Sequence, residues 1–318
     1  MSNHSTMAEF LLRGFSDVRE LQVLHFVLFL VFYLAALVGN LLVTMAIALN
    51  HQLQTPMYFF LVNLSIIDFG TISITVPKSM SNSLLDTKSI SYAGCFTQVF
   101  LFIFLVSTEV ILLTVMAYDR YVAVCHPLHY ERVMNQKACV HLAAGAWLSG
   151  FLYSALHTGN TLAVSLCGSL VVDQFFCDIP QLLKLACHDS GRNEIWVIAF
   201  STCFIVSCFV FIIVSYVQIF RAVLRIPSEQ GRHKAFSTCL PHLAVVSLFF
   251  STGMFAYLKP IFTSTSRLDL VVDIFYSVVP PMLNPVIYSM RNKEIKAALW
   301  KLIGQRLFMA QKMSLLCL

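Results

Sequence analysis

The sequence predicts an all-α membrane protein, a seven-transmembrane helix bundle with a short amphipathic C-terminal helix. Three observations carry this. Of 318 residues, 58% are hydrophobic and only 12% are charged, whereas a soluble domain carries about 25% charged residues. Seven mostly apolar stretches reach the roughly 20 residues that a helix needs to cross hydrocarbon. The stretches do not alternate as barrel strands do: one reads Phe209-Val210-Phe211-Ile212-Ile213-Val214. Each must therefore satisfy its own backbone in lipid as a helix.

The stretches are Leu24–Leu49, Met57–Ser79, Cys95–Tyr118, Ala138–Asn160, Ile195–Phe220, Ala235–Leu258 and Asp269–Met290. The second and seventh are less pure, since they hold Asp68, Pro77, Pro280, Pro281 and Asn284. After the seventh, Ile295, Leu299, Leu302 and Ile303 share one face, with Lys293, Lys296 and Lys301 interspersed on the other. That is the pattern of a helix lying in a membrane interface. The organisation is thus a tail over 1–23, a bundle over 24–290, and an amphipathic helix and tail over 291–318.

Lys and Arg orient the bundle. With the N-terminus outside, the inner segments hold 13 basic and 4 acidic residues, net +9, and the outer ones 8 and 10, net −2. The expected location is the plasma membrane, crossed several times, with the lipid bilayer as solvent. No cleavable signal is expected, because residues 1–20 lack an apolar run ending in small residues. Asn3-His4-Ser5 is a glycosylation sequon on the tail. Asn63-Leu64-Ser65 matches the same pattern inside a span, where sugar cannot be added.

Ten cysteines form no CxxC pair, which argues against zinc and thioredoxin-type chemistry. Cys95, Cys167, Cys177 and Cys187 fall at or beyond the outer edge, an even number suited to two disulfides; spacing does not choose among the three pairings. Asp68 and Glu109 lie within spans, where a carboxylate is costly and marks a functional interior position. At about 1.5 Å per residue, Glu109 stands roughly 16 Å outward of Arg120 and Asp68 roughly 15 Å outward of Tyr58. The two acids share a depth, as do Asn40 and Asn284. If they meet, both cannot ionise cheaply: they share a proton, hold a cation, or join a watered polar network. Sodium suits the hard oxygen donors.

Asp119-Arg120-Tyr121 ends the third span, either as a snorkelling interfacial pair or as a switch. Val99, Phe102, Ile103, Val106 and Ser107 fall at helical spacing on the third span, and Phe250, Gly253, Met254 and Tyr257 on the sixth. An apolar cavity with a few hydroxyls suits a small, weakly polar ligand; ordinary helix packing explains any one of these residues equally well. No HExxH or GxSxG appears, so no enzyme is expected. A transporter would need a polar path that only Asp68 and Glu109 offer. No nucleic-acid partner and no cofactor beyond the candidate sodium ion are expected.

The motifs converge on one family. They are Gly39-Asn40, Pro56-Met57-Tyr58-Phe59-Phe60-Leu61, Leu64-Ser65-Ile66-Ile67-Asp68, Met116-Ala117-Tyr118-Asp119-Arg120-Tyr121-Val122-Ala123-Val124-Cys125, His126-Pro127-Leu128, Ser215-Tyr216, Lys234-Ala235-Phe236-Ser237-Thr238-Cys239 and Pro281-Met282-Leu283-Asn284-Pro285-Val286-Ile287-Tyr288. From the sequon to the amphipathic tail, the chain resembles the odorant receptors, a branch of the rhodopsin-like G-protein-coupled receptors. The resemblance implies the pairs Cys95–Cys177 and Cys167–Cys187. It implies that Asp119, Arg120 and Tyr121 form an activation switch with Tyr216, Asn284, Pro285 and Tyr288, and that Asp68 and Glu109 form a sodium or proton site. It implies a pocket for a small volatile odorant among the third, fifth, sixth and seventh helices, with Phe204 and Ser277 contributing, beneath the second outer loop. It implies coupling to a heterotrimeric G protein of the stimulatory olfactory type, raising cAMP. A chemoreceptor for a non-odorant metabolite is the alternative. Two departures bear on the ligand and not on the class: Pro241 where many relatives have Ser, and Phe250, which has no hydroxyl where many relatives have Tyr.

Overall fold

The computed structural model describes residues 9–14, 16, 18–85, 87–165, 170–172, 174–187, 191–258, 266–291, 294–302 and 304. In chain order they form β1 (Glu9–Leu12), α1 (Arg19–Leu49), α2 (Pro56–Leu85), β2 (Ser89–Ser91), α3 (Tyr92–Cys125), α4 (Tyr130–Val133), α5 (Gln136–Leu162), β3 (Val171–Val172), α6 (Ile179–Lys184), α7 (Gly191–Leu224), α8 (Glu229–Leu258), α9 (Ser266–Ser277) and α10 (Val279–Arg291). A further helix, α11, covers 294–302.

α1, α2, α3, α5, α7 and α8 are each long and apolar enough to cross a membrane, and the bent pair α9–α10 makes a seventh span. The chain is a multi-span membrane protein. The helices overrun the apolar stretches: α1 begins at Arg19 rather than Leu24, and α3 runs on to Cys125. Their starts follow local chemistry. Pro56 opens α2, where its missing N–H costs nothing. Ser91 caps α3 by accepting from the Gly94 amide at 3.1 Å, and Asn135 caps α5 by accepting from Ala138 at 3.0 Å. The seventh span differs from the single helix expected. It bends by 44° between Ser277 and Val279, because Pro280 and Pro281 give no amides and the residue before a proline avoids the α region. Pro241, by contrast, lies inside an α8 that runs on across it.

Lipid gives helices no hydrophobic reason to associate, so close contact and polar links must hold them. Gly150 on α5 lies so near α3 that a Cβ there would overlap Thr108 Oγ1 and come within 3.1 Å of the Phe104 carbonyl. A Cβ on Gly39 of α1 would stand 3.0 Å from Pro285 Cγ of α10. Polar stitches join the same pairs and tie α5 to α2 as well: Ser154 Oγ donates to the Phe100 carbonyl at 2.5 Å, Trp147 Nε1 to Asn63 Oδ1 at 3.0 Å, and Asn40 Nδ2 to the Pro281 carbonyl at 2.9 Å. α3 is the most buried span, and α1 and α7 are the least. Val31, Leu41 and Val210 point outward and are more than half exposed, as lipid-facing residues should be.

β1 is the central strand of a small sheet ordered β2-β1-β3, antiparallel to β2 and parallel to β3. Part of the expected tail is thereby tied to the face of the bundle from which it starts, here the N-terminal face. On the opposite, C-terminal face, α11 buries Ile295, Ala298 and Leu302 and exposes Lys296 and Lys301. Tyr58 Oη donates to Glu294 Oε2 at 2.5 Å and ties α11 to α2.

Candidate functional site

At the N-terminal face, Cys95 and Cys177 form a disulfide that fastens the α5–α7 loop to the top of α3. Cys187 is also disulfide-bonded, while Cys167 and Asn3 lie outside the described residues. Side chains then seat the loop. Gln98 accepts from the Cys177 amide and donates to the Ile74 carbonyl, both at 2.8 Å. Gln174 donates to Asp273 Oδ1 at 2.8 Å, and Tyr276 donates to Asp178 Oδ2 at 2.6 Å. Burial raises the Asp178 carboxyl above its ordinary range, opposed by the Tyr276 hydroxyl and the Ile179 amide.

The apolar residues beneath this loop fall into two groups. Val99, Phe102 and Ile103 are buried in one cluster with Phe176, and Val106 packs on it. The Phe102 ring lies 5.1 Å from Phe176 and 6.0 Å from Tyr276. Phe250 belongs to a second cluster, on which Phe204 packs; Phe250 is 5.1 Å from Phe209, and Phe204 is 5.1 Å from Tyr153. Gly253 has nothing within 4 Å of where a Cβ would stand. Ser277 is fully buried and donates to the Asp273 carbonyl at 2.5 Å. Two side chains depart from the expected arrangement. Met254 is 53% exposed on the outside of α8: four residues overshoot a full turn by about 40°, which carries the stripe through Phe250 round to the surface. Ser107 directs its hydroxyl at the Ile103 carbonyl, 2.6 Å away, with the Gly150 carbonyl at 3.3 Å, so its hydrogen serves the helix backbone. The Tyr257 side chain lies outside the described residues.

At mid-depth Asp68 and Glu109 are both buried, on α2 and α3. Asn284 Nδ2 stands 3.1 Å from each oxygen of Asp68, and Asp68 is close enough to Glu109 for their charges to interact. In the four spans that hold α1, α2, α3 and α10, Glu109 Oε1, Asn284 Oδ1, Asn40 Oδ1, Thr71 Oγ1 and Tyr288 Oη are buried without a hydrogen-bond partner. Unpartnered buried oxygens of this kind call for water or an ion. The set is all hard oxygen, the donor type that suits a hard cation, so the residues fit sodium. Among the described residues no group of three or more His, Cys, Asp and Glu side chains gathers as a metal site. An ion here would therefore rely on amide and hydroxyl oxygens beside the two carboxylates.

At the C-terminal face Asp119 holds two partners. Arg120 Nε donates to Asp119 Oδ2 at 2.8 Å, with Nη2 on the same oxygen, and Tyr130 Oη donates to Oδ1 at 2.8 Å. Burial, with the Asp119 charge alongside, raises the Tyr130 hydroxyl. Tyr121 turns away and pairs with His126 Nε2 at 3.0 Å. Tyr216 is buried against His242, its hydroxyl 2.6 Å from Nδ1. Arg120, His242 and Tyr288 line a common cavity with Met57, Met116, Thr238 and Pro241. Pro285 lies within α10 against Gly39. In this conformation Arg120 is held by its sequence neighbour and reaches neither Tyr216 nor Tyr288 among its hydrogen-bond partners.

Sequence reasoning missed Tyr130, His242, Gln98, Asp178 and Tyr276. Each acts across a chain reversal or between helices, and residue spacing carries no signal for that; only the buried setting of Asp119 hints at a further donor.

Comparison with known proteins fits this architecture. The sequence model of a family described as Olfactory receptor matches residues 29–306. Human olfactory receptor 14I1 is 52% identical over 309 residues, covering 97% of this chain and 99% of that protein. Human olfactory receptor 14A16 is 50% identical over 307 residues, with 96% and 99% covered, and human olfactory receptor 14J1 is 50% identical over 315, with 99% and 98% covered. These relatives are receptors and not enzymes. With a seven-span bundle, the Cys95–Cys177 bridge and the family's match over nearly its whole length, the chain belongs to the olfactory receptor family.

Proposed function

We propose that this odorant receptor binds a small, weakly polar volatile in a pocket on the N-terminal, extracellular face. Binding activates a stimulatory olfactory-type G protein on the cytoplasmic face and raises cAMP. The observation that carries the proposal is the Asp119–Arg120–Tyr130 cluster, whose Arg120 lines a cavity at the C-terminal end of the same helix, α3, that bears Phe102 nearer its start. One rigid helix can therefore couple the two faces. Leu128, on the turn between α3 and α4, is 95% exposed and gives a G protein an apolar contact beside Arg120, with Arg232 and Lys234 on the far side.

The mechanism is a population shift. A ligand that binds the active arrangement better moves the equilibrium toward it. Moving from about 1% to about 99% active takes about 5.5 kcal/mol of differential affinity, so weak odorants give partial responses. In the active arrangement α8 moves outward, Arg120 leaves Asp119, and Tyr216 and Tyr288 receive it. Asp68 and Glu109, with the amide and hydroxyl oxygens of Asn284, Asn40 and Thr71, would hold a sodium ion, which would supply the positive charge that lets the two carboxylates ionise and would favour the resting bundle.

The pocket assignment is tested in cells expressing the receptor with a cAMP reporter and a broad odorant panel. At least one odorant is expected to raise cAMP above mock-transfected cells. Phe102→Ala at equal surface display is expected to weaken that response at least tenfold, since removing a buried phenylalanine costs about 3–5 kcal/mol of packing. An unchanged response in Phe102→Ala would contradict the pocket.

A further inference from the structure

The N-terminal strand is built into the lid of the ligand site. β1 lies between β2, in the α2–α3 loop, and β3, in the α5–α7 loop. Those two loops do not pair with each other in this sheet; both pair with β1. The Leu11 amide donates to the Leu170 carbonyl at 2.8 Å, and the Arg13 amide lies 3.0 Å from the Val172 and Gln174 carbonyls. On its other edge the Leu12 amide donates to the Lys88 carbonyl at 2.7 Å. The strand is also anchored by side chains facing inward. Phe10 and Leu12 are buried, while Glu9 and Leu11 face outward. The Phe10 ring stacks 5.7 Å from Tyr92 and lies 6.4 Å from Phe96. Phe10 shares one apolar cluster with Phe175, Phe176 and Phe102, so the strand packs on the same core as the wall of the candidate pocket.

The two ends of the lid are held differently. The disulfide and Gln98 fix Cys177 to α3. Residues 170–172 are held through their backbone to β1. We infer that the N-terminal strand is a positioning element of the ligand site, which keeps residues 170–172 closed over the pocket and sets how fast molecules pass in and out. The inference rests on the receptor reading above and on its extracellular N-terminal face.

The strand register supplies both arms of a test that needs no known odorant. Leu11→Pro deletes the amide that donates to Leu170 and leaves the Leu12 bond to the other loop. Glu9→Cys with Ser91→Cys instead locks the strand to the α2–α3 loop and leaves its bonds to residues 170–172 in place. Glu9 and Ser91 are partners in the antiparallel pair, and both are exposed. The Leu12–Lys88 bond makes that position a hydrogen-bonded one, so alternation places Glu9–Ser91 at a non-bonded position, where Cα atoms stand about 4.5 Å apart and a disulfide can form. A reporter cysteine, Val106→Cys, is placed in the full-length receptor carrying an N-terminal epitope tag. Its labelling rate by the membrane-impermeant methanethiosulfonate ethyltrimethylammonium is measured on intact cells. Relative to the reporter alone, Leu11→Pro is expected to label at least tenfold faster. The double cysteine is expected to label at least tenfold slower, and the controls Glu9→Ser and Ser91→Thr, which add no exposed thiol, at the reporter's rate. Rates within twofold of the reporter in both variants, with the tag displayed, would overturn the inference while leaving the receptor reading intact. A tag stained only after permeabilisation would overturn the extracellular orientation and this inference with it.

Discussion

Replacing Cys95 or Cys177 with Ser is expected to lower surface display at least tenfold, as read by an N-terminal tag on intact cells. The bridge spans a sequence separation of 82 residues. On the loop-entropy account, a closure of that length stabilises by roughly 4–5 kcal/mol, a model-dependent figure. Both cysteines are fully buried, so each single variant also leaves a thiol without its partner beneath the lid. The double variant is expected to match either single one, because the bond is lost once. Normal display and signalling in both single variants would show that the fold does not depend on this bridge.

The second large effect is a gain. Asp119 is the only hydrogen-bond partner seen for the Arg120 guanidinium among the described residues, and it also holds Tyr130. Asp119→Asn keeps the shape and removes the charge. A hydrogen bond to a charged group contributes about 1.5–3 kcal/mol, and 1.4 kcal/mol is tenfold in an equilibrium. The resting arrangement should therefore lose roughly ten- to a hundredfold of its advantage. Basal cAMP per displayed receptor is expected to rise several-fold. Tyr130→Phe, which removes one bond and keeps the ion pair, should give a smaller rise. Basal cAMP at the wild-type level in Asp119→Asn would mean that the pair does not restrain the receptor.

The fold is legible in the sequence where one-dimensional spacing has three-dimensional meaning. A fixed rise per residue sets Asp68 and Glu109 at one depth; both are buried, and Asp68 accepts from Asn284. Apolar run lengths located the spans, and residues 295–302 carried the periodicity of the last helix. The failures share a cause. Glu9–Leu12 is four residues long, too short for a period to register, and its strand character comes from two loops that are distant in sequence. The break at Val278 was visible only as the impurity of Pro280 and Pro281. Met254 lies on the stripe that an ideal helix predicts, but four residues overshoot a turn by about 40°, and it faces outward. Tyr130 meets Asp119 only because the chain reverses through the turn at Pro127–His129, a geometry that residue identity does not announce.

The central claim is that Arg120 carries the signal from the bundle to a G protein. It is tested most directly by odorant-evoked cAMP in wild type and Arg120→Ala, compared at equal surface display with the same activating odorant. A full response is expected in wild type and none above mock in Arg120→Ala, because the substitution removes the group that Asp119 holds and that the proposed activation would release. A wild-type response in Arg120→Ala would contradict it.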